Sequence, residues 1–140
     1  MFDVRGALRA LMLQSPDVNA AVGGNRVYPT LLPQGITAPS IVYQRISGFG
    51  DMASGGPTGL DRPRFQITAW AQSADSSSHL ADLVRDQIDG FKGQIVYGSG
   101  SPQLQLIFRG IFFEIERDEY DDASKLFGTM RDYMVWFANR

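Results

Sequence analysis

The sequence predicts an α+β fold, in which a mostly antiparallel sheet has two main helices packed on one face. Alternating polar and apolar residues predict strands, most clearly at residues 40–47 and 64–72. Apolar residues at helical spacing predict helices at residues 3–14 and 74–91. Because the order helix, strand, strand occurs twice, consecutive strands should pair as hairpins beneath the helices. We expect residues 1–140 to form one domain, since typical domains have about this length.

The N-terminal region begins with a short amphipathic helix. Four apolar residues recur there at helical spacing: Val4, Leu8, Leu11 and Met12. Pro16 ends the helix or follows its end. Residues 17–22, with Asp17 placed to cap, predict one further turn. Residues 26–28 then predict a short extended segment, which is the first strand.

The third strand, residues 64–72, has the clearest alternation. One face carries Phe65, Ile67, Ala69 and Ala71, and the other carries Arg64, Gln66, Thr68 and Trp70. Residues 48–60 precede it and hold five glycines and a proline. We therefore expect a long Gly-rich loop between the second and third strands. A loop of this length exceeds what a hairpin needs and is typical of functional loops.

The second half of the chain predicts a long helix and two long strands. Ser73 is suited to cap the helix over residues 74–91. Residues 103–119 and 126–139 predict the strands, and Gly110 marks a bulge or bend in the first of them. The last strand has apolar residues on both faces: Phe127, Tyr133, Val135 and Phe137 on one, Met130, Met134 and Trp136 on the other. Its second face needs cover either from the chain itself or from another subunit.

The composition excludes several classes of site. The chain has no cysteine, which excludes disulfides, thiolate metal sites and cysteine nucleophiles. The formal net charge of −2 lacks the basic surplus that non-specific nucleic-acid binding needs. No segment predicts a membrane span or a signal peptide, because Arg5 and Arg9 interrupt the N-terminal apolar residues. We therefore expect a soluble protein assembled in the cytoplasm.

Two motifs suggest catalysis or cofactor binding, and neither is complete. Residues 48–53 spell G-x-G-x-x-A after a strand, but the glycines and proline that follow cannot form the helix that would hold a dinucleotide. His79, the single histidine, lies one turn from Asp75 and Asp82 on the predicted helix. No G-x-S-x-G accompanies it, and one histidine cannot form a His-rich metal site. The sequence thus predicts no catalytic, cofactor-binding or metal site.

Six acidic residues are concentrated in residues 114–122. Period-2 spacing predicts that Glu114, Glu116 and Asp118 share one face of the strand. Their spacing does not match a calcium-binding loop. Two interpretations remain: a solvated strand end, or a negative surface that repels DNA phosphates without binding them.

Several segments together resemble the phage tail-completion family, also called tail-terminator or head–tail joining proteins. They are ALRALML with SPDVNAAVGGNRVYP, then TAPSIVYQRISG, then GPTGLDRPRFQITAWAQSADSSSHLADLVRDQIDGF, and finally GIFFEIERDEYDDASKLFGTMRDYMVWF. They follow one another in this order and span nearly the whole chain, whereas GQIVYGSGSPQLQLI departs from the pattern as an insertion would.

The resemblance implies a non-enzymatic virion protein that forms a ring, a hexamer, at the head-proximal end of a tail. The ring would cap the tail tube, dock the head connector or stopper protein, and let DNA pass without binding it specifically. We expect subunit or ring contacts at Phe49, Asp51 and Met52 of the Gly-rich loop. Contacts are also expected on the sheet, at Arg64, Trp70, Arg131 and Tyr133. Glu114, Glu116 and Asp118 would face the lumen.

Two alternatives remain open from the sequence. The first is a monomeric α+β ligand-binding or enzymatic domain with a pocket under the Gly-rich loop. The second is a neighbouring role in the same particle, such as a connector stopper or a minor tail component.

Overall fold

The computed structural model describes residues 3–48, 50–53, 56–100 and 103–138, with 51–53 and 56–58 described by their backbone alone. Within these ranges it has three helices, α1 (Val4–Leu13), α2 (Pro16–Ala21) and α3 (Ala74–Ile88). The strands are β1 (Val27–Pro29), β2 (Ser40–Ser47), β3 (Gly50–Ala53), β4 (Gly56–Asp61), β5 (Arg64–Ala71), β6 (Gly93–Tyr97), β7 (Leu104–Asp121) and β8 (Leu126–Ala138). The predicted α+β class is confirmed.

The sheet is built around β8, which pairs with β5 along one edge and with β7 along the other. The order continues outward from β5 to β2 and β1, and from β7 to β6. All of these pairs are antiparallel except β1 with β2. The predicted, mostly antiparallel sheet is therefore confirmed.

A single buried cluster joins the helices to one face of the sheet. The helices contribute Leu8, Leu11, Met12, Val18, Leu80, Val84 and Ile88, and the strands contribute Ile41, Phe65, Ile67, Leu106, Phe108, Ile111, Tyr133 and Val135. We call this face the helix side and the opposite face the open face. Ser73 caps α3 as predicted, its hydroxyl accepting from the Ser76 N–H. Ser15, and not Asp17, caps α2.

The Gly-rich loop prediction is wrong for the described part of residues 48–60. β3 and β4 form a hairpin, with Met52 opposite Pro57 and a register shift after Gly50. The base of this hairpin joins the main sheet, where Leu60 pairs with Ala138 of β8. Backbone hydrogen bonds hold such a hairpin without alternating apolar residues, so the sequence pattern did not reveal its strands. We call residues 48–60 the hairpin arm.

β7 contains two irregularities. The first, between Phe108 and Gly110, confirms the bulge predicted at Gly110. A Cβ at Gly110 would lie 2.7 Å from the Phe112 ring, so the absence of a side chain lets this ring lie against the strand. The second irregularity, between Phe113 and Ile115, changes which residues of β7 face the helices.

Candidate functional site: the open face of the sheet

The open face carries exposed apolar side chains on β7 and β8. Phe112 is 51% exposed and Ile115 is 55% exposed. Register places both beside β8 residues that face away from the helices, Met134 and Asp132 respectively. We call Ile107, Phe112, Ile115, Met134 and Trp136 the apolar patch. Exposed apolar surface of this kind is typical of interaction sites between proteins.

Arg64 holds two carboxylates beside the apolar patch. Its guanidinium lies 2.9 Å from Glu114 and 3.6 Å from Asp132. The Glu114 side chain therefore lies on the open face. The prediction that Glu114, Glu116 and Asp118 share one face is wrong, because the irregularity after Phe113 separates the first from the other two.

Glu116 instead reaches Arg131 on the helix side. Arg131 Nε donates to Glu116 at 2.8 Å, and Nη2 donates to Asp82 of α3 at 2.7 Å. The Arg131 side chain is only 8% exposed. Burial alone would lower its pKa, but the hydrogen bonds to the two carboxylates outweigh this and raise it above the usual value. Arg131 thus ties α3 to β7 and β8.

Tyr133 lies beside Arg131 in the core and has no exposed surface. Its hydroxyl makes no hydrogen bond of good geometry within the described residues, although the Arg131 guanidinium is near. Burial raises the pKa of Tyr133 to about 12. Arg131 is bonded to Glu116 and Asp82, and Tyr133 is fully buried. The expectation that these two side chains contact another subunit is therefore wrong.

Tyr133→Phe should remove most of the stability loss that the parent protein shows at alkaline pH. The folded pKa of about 12 exceeds the unfolded value of 10.0, so stability is complete below pH 10 and is lost as pH rises through 12. A shift of this size corresponds to roughly 2–3 kcal/mol. Denaturant unfolding between pH 7 and pH 12 measures it. Since the hydroxyl makes no hydrogen bond of good geometry with the described residues, its removal should leave the stability near neutrality unchanged or higher. An unchanged alkaline loss would contradict the assignment.

A groove of about 820 Å³ occupies the other end of the open face. One wall is the connection of residues 30–37, and the other is the turn between β7 and β8 with Glu119 and Asp121. Trp70 and Met130 form the apolar part of its floor. The Trp70 indole lies against Gly128, where an added Cβ would be 2.9 Å from the ring.

The base of the hairpin arm offers much less space. A cavity of about 90 Å³ lies there between Arg45, Asp61 and Phe137. Ligand pockets usually enclose about 300–1,000 Å³. The cavity described at this place is therefore smaller than the ligand-sized pocket that the alternative function needs.

A family model described as Tail completion protein gp17 matches residues 6–137. The chain belongs to the tail completion protein family. A chain in the solved virion of a native gene transfer agent (GTA) particle has the same fold, with a TM-score of 0.69 and 17% identity. That match covers 99% of each chain. No curated protein matches this sequence.

Membership of the tail completion family confirms the resemblance drawn from the sequence. It makes this chain a structural protein of a phage-type virion tail. The other residues expected to make assembly contacts divide into two groups by their place in the structure. Arg64 and Trp70 lie on the open face, as predicted. Phe49 lies outside the described residues, and Asp51 and Met52 are placed only by the backbone of β3.

The two incomplete motifs lie on β3 and on α3 of this chain. Gly50–Ala53 is a strand, so no helix follows the G-x-G-x-x-A spelling directly. His79 is exposed on α3, and Asp82 pairs with Arg131. Among the described residues, no three potential ligands are grouped to hold a metal ion. None of the described helices has the length and apolar character needed to span a membrane.

Sequence reasoning missed two parts of this surface. Phe112 and Ile115 were not assigned to the open face, because the irregularities of β7 break the period-2 pattern. The groove was missed because one of its walls is residues 30–37, whose Pro33 and Gly35 predict only an irregular connection.

Proposed function

We propose that this protein is a tail terminator, which forms a ring at the head-proximal end of the tail. The ring caps the tail tube and offers a docking surface to the head connector. The observation that carries the proposal is the match of the tail completion family to residues 6–137. In this role the protein acts through its shape and its contacts with other proteins, and it performs no catalysis.

The apolar patch supports a contact between subunits. Ring closure needs heterologous contacts, in which one surface of a subunit meets a different surface of the next. The open face supplies one surface through the apolar patch and Arg64, while Trp70, in the groove at its other end, is an assembly contact with another protein of the particle. The hairpin arm, with Phe49, Asp51 and Met52, supplies the other in our proposal. We propose six copies per ring and contacts with the tail-tube protein on the side opposite the connector.

The acidic end of β7 supports a passage for DNA. Glu116 is 53% exposed, and Asp118 follows it on the helix side opposite Thr129. In a lumen these charges would repel phosphates and keep DNA mobile. Glu114 lies on the open face beside Arg64, away from these two acids.

Glu116→Gln and Asp118→Asn should slow DNA passage equally while differing in stability. Each removes one negative charge, so a lumenal role predicts similar rates of DNA release. Of these two acids, only Glu116 pairs with Arg131. Its replacement should therefore lower the free energy of unfolding by about 0.5–1 kcal/mol, and the replacement of Asp118 should lower it by less than about 0.5 kcal/mol. DNA release from purified particles and denaturant unfolding measure the two effects. Wild-type release in both variants would refute the lumenal role.

Removing the protein from the particle tests the proposed function. Without a cap, we expect tail tubes of uncontrolled length and heads without attached tails, both visible by electron microscopy. Supplying the intact chain in trans should restore tails of uniform length joined to heads. Uniform, joined tails in its absence would overturn the proposal.

A further inference from the structure

The ionisable groups in the groove are all acids. Of the described residues that line it, none is Lys, Arg or His. The Asp121 carboxylate accepts hydrogen bonds from the Ser124 N–H at 3.0 Å and from its hydroxyl at 2.6 Å. These bonds lower the pKa of Asp121 and keep it charged. Glu119 is half-buried and makes no ion pair with the described residues. The groove therefore presents negative charge that the described part of the chain leaves without a counter-ion.

The floor of the groove combines an apolar platform with free amides. Trp70 is held against Gly128, and Met130 beside it is only 6% exposed. The side-chain amides of Gln44 and Gln66 make no hydrogen bond with the described residues. Such amides can donate to and accept from the backbone of a bound segment. An apolar platform with a few polar groups is typical of a recognition site.

The rim of the groove is strained. Thr30 has a φ of 66°, and Leu31 N–H donates to the Pro29 carbonyl at 2.7 Å, which is the hydrogen bond of a classic γ-turn. A β-branched residue adopts this conformation only under strain. The Thr30 N–H also donates to the Tyr43 carbonyl at 2.8 Å, which helps to hold the turn. Leu31 is left 75% exposed at the rim. Strain of this kind clusters at binding sites.

The dimensions suit a single peptide segment. The floor extends from β2 through β5 and β8 to β7. Strands lie about 4.8 Å apart, so the outer two are separated by about 14 Å, and a helix with its side chains is about 10–12 Å wide. One segment fits between the two walls.

The charge and the symmetry favour another protein as the source of that segment. Exposed apolar residues with an adjacent Arg occur in this chain at Arg45–Ile46, and at Ile115 near Arg117. Ile115 lies on the open face, as the groove does, and Ile46 lies at the register shift of β2 between Arg45 and Ser47. Two copies that met by their open faces would form a closed two-fold pair and not a ring.

We propose that the groove binds a basic, apolar segment of a second protein of the particle. An apolar residue of that segment packs on Trp70 and Met130, and its Arg or Lys pairs with Glu119. Leu31 covers the segment from the rim. This inference rests on the proposed tail function, since it needs the protein to be in its assembled place.

A photo-crosslinking residue at Gln66 in assembled particles tests the inference. Mass spectrometry should identify a crosslinked peptide of a different protein, with an apolar residue and an Arg or Lys within a few positions. The same residue at Gln94, which is exposed on the open face but outside the groove, is the matched control and should not yield that peptide. No crosslink from Gln66, a crosslink to a second copy of this chain, or a segment without a basic residue would overturn the inference.

Charge variants make the test specific. Glu119→Arg should reduce the Gln66 crosslink at least tenfold, whereas Asp122→Arg, outside the groove, should leave it within twofold. Glu119→Gln, which is almost isosteric, should reduce it severalfold and serves if the Arg variant does not fold. An undiminished crosslink in Glu119→Gln would contradict the pairing. Ring formation by mass and tail length by microscopy, measured on the same samples, separate a failure of the groove from a failure of the proposed function.

Discussion

Phe112→Glu is expected to prevent the subunits from closing into a ring while the single subunit stays folded. Phe112 is 51% exposed on the open face, so a polar replacement removes little core packing. In a subunit contact the same side chain would be a buried aromatic anchor, and loss of such an anchor costs about 2–4 kcal/mol. That corresponds to a roughly 30-fold to 1,000-fold weaker contact. Mass measurements on assembled protein report the ring, and thermal unfolding reports the fold.

Leu104→Glu is the matched control for this prediction. Leu104 is also 51% exposed and lies on the same strand. Its partner Tyr97 is buried in the core, so Leu104 is on the helix side. The control variant should assemble as the parent does. Equal ring formation by both variants would show that the apolar patch is not a subunit contact.

Arg131→Ala should give the largest loss of stability among the charged residues. The side chain is 8% exposed and joins α3 to β7 and β8. Its removal leaves a gap beside Tyr133 and two carboxylates without their partner. Asp82 and Glu116 are 63% and 53% exposed, so water solvates them and the cost falls below that of a fully buried pair. We expect a decrease of about 2–3 kcal/mol in the free energy of unfolding.

Arg64→Ala provides the comparison for Arg131. Arg64 also holds two carboxylates, but its side chain is 28% exposed on the open face. We expect a loss of about 1 kcal/mol or less, as for other solvated ion pairs. Denaturant unfolding at neutral pH measures both variants. If both variants lost the same free energy of unfolding, the ion pairs of Arg131 would not be what holds α3 against the sheet.

Local signals account for the elements that could be predicted. Ser73 caps α3 through its own hydroxyl, and the residues of β5 alternate without interruption. Such features depend on neighbours in the chain, which a sequence displays directly. The apolar character of both faces of β8 predicted one face packed on the helices but left open whether the chain or another subunit covers the second face, where Met134 and Trp136 lie.

Features that depend on distant partners could not be predicted. β6 is recognisable only through its pairing with β7, since Gly93–Tyr97 is short, begins with a glycine and is followed by another. Glu114 and Glu116 lie on opposite faces because of the irregularity between Phe113 and Ile115, and no residue type at that place in β7 predicts it. The burial of Arg131 depends on Asp82, 49 residues away in the chain.

Electron cryomicroscopy of particles that carry a label on this chain tests the central claim most directly. The account predicts a closed ring of several copies between the head and the last ring of the tail tube, with the apolar patch buried between neighbouring subunits. Density for this chain elsewhere in the particle, or as a single copy at the joint, would contradict it.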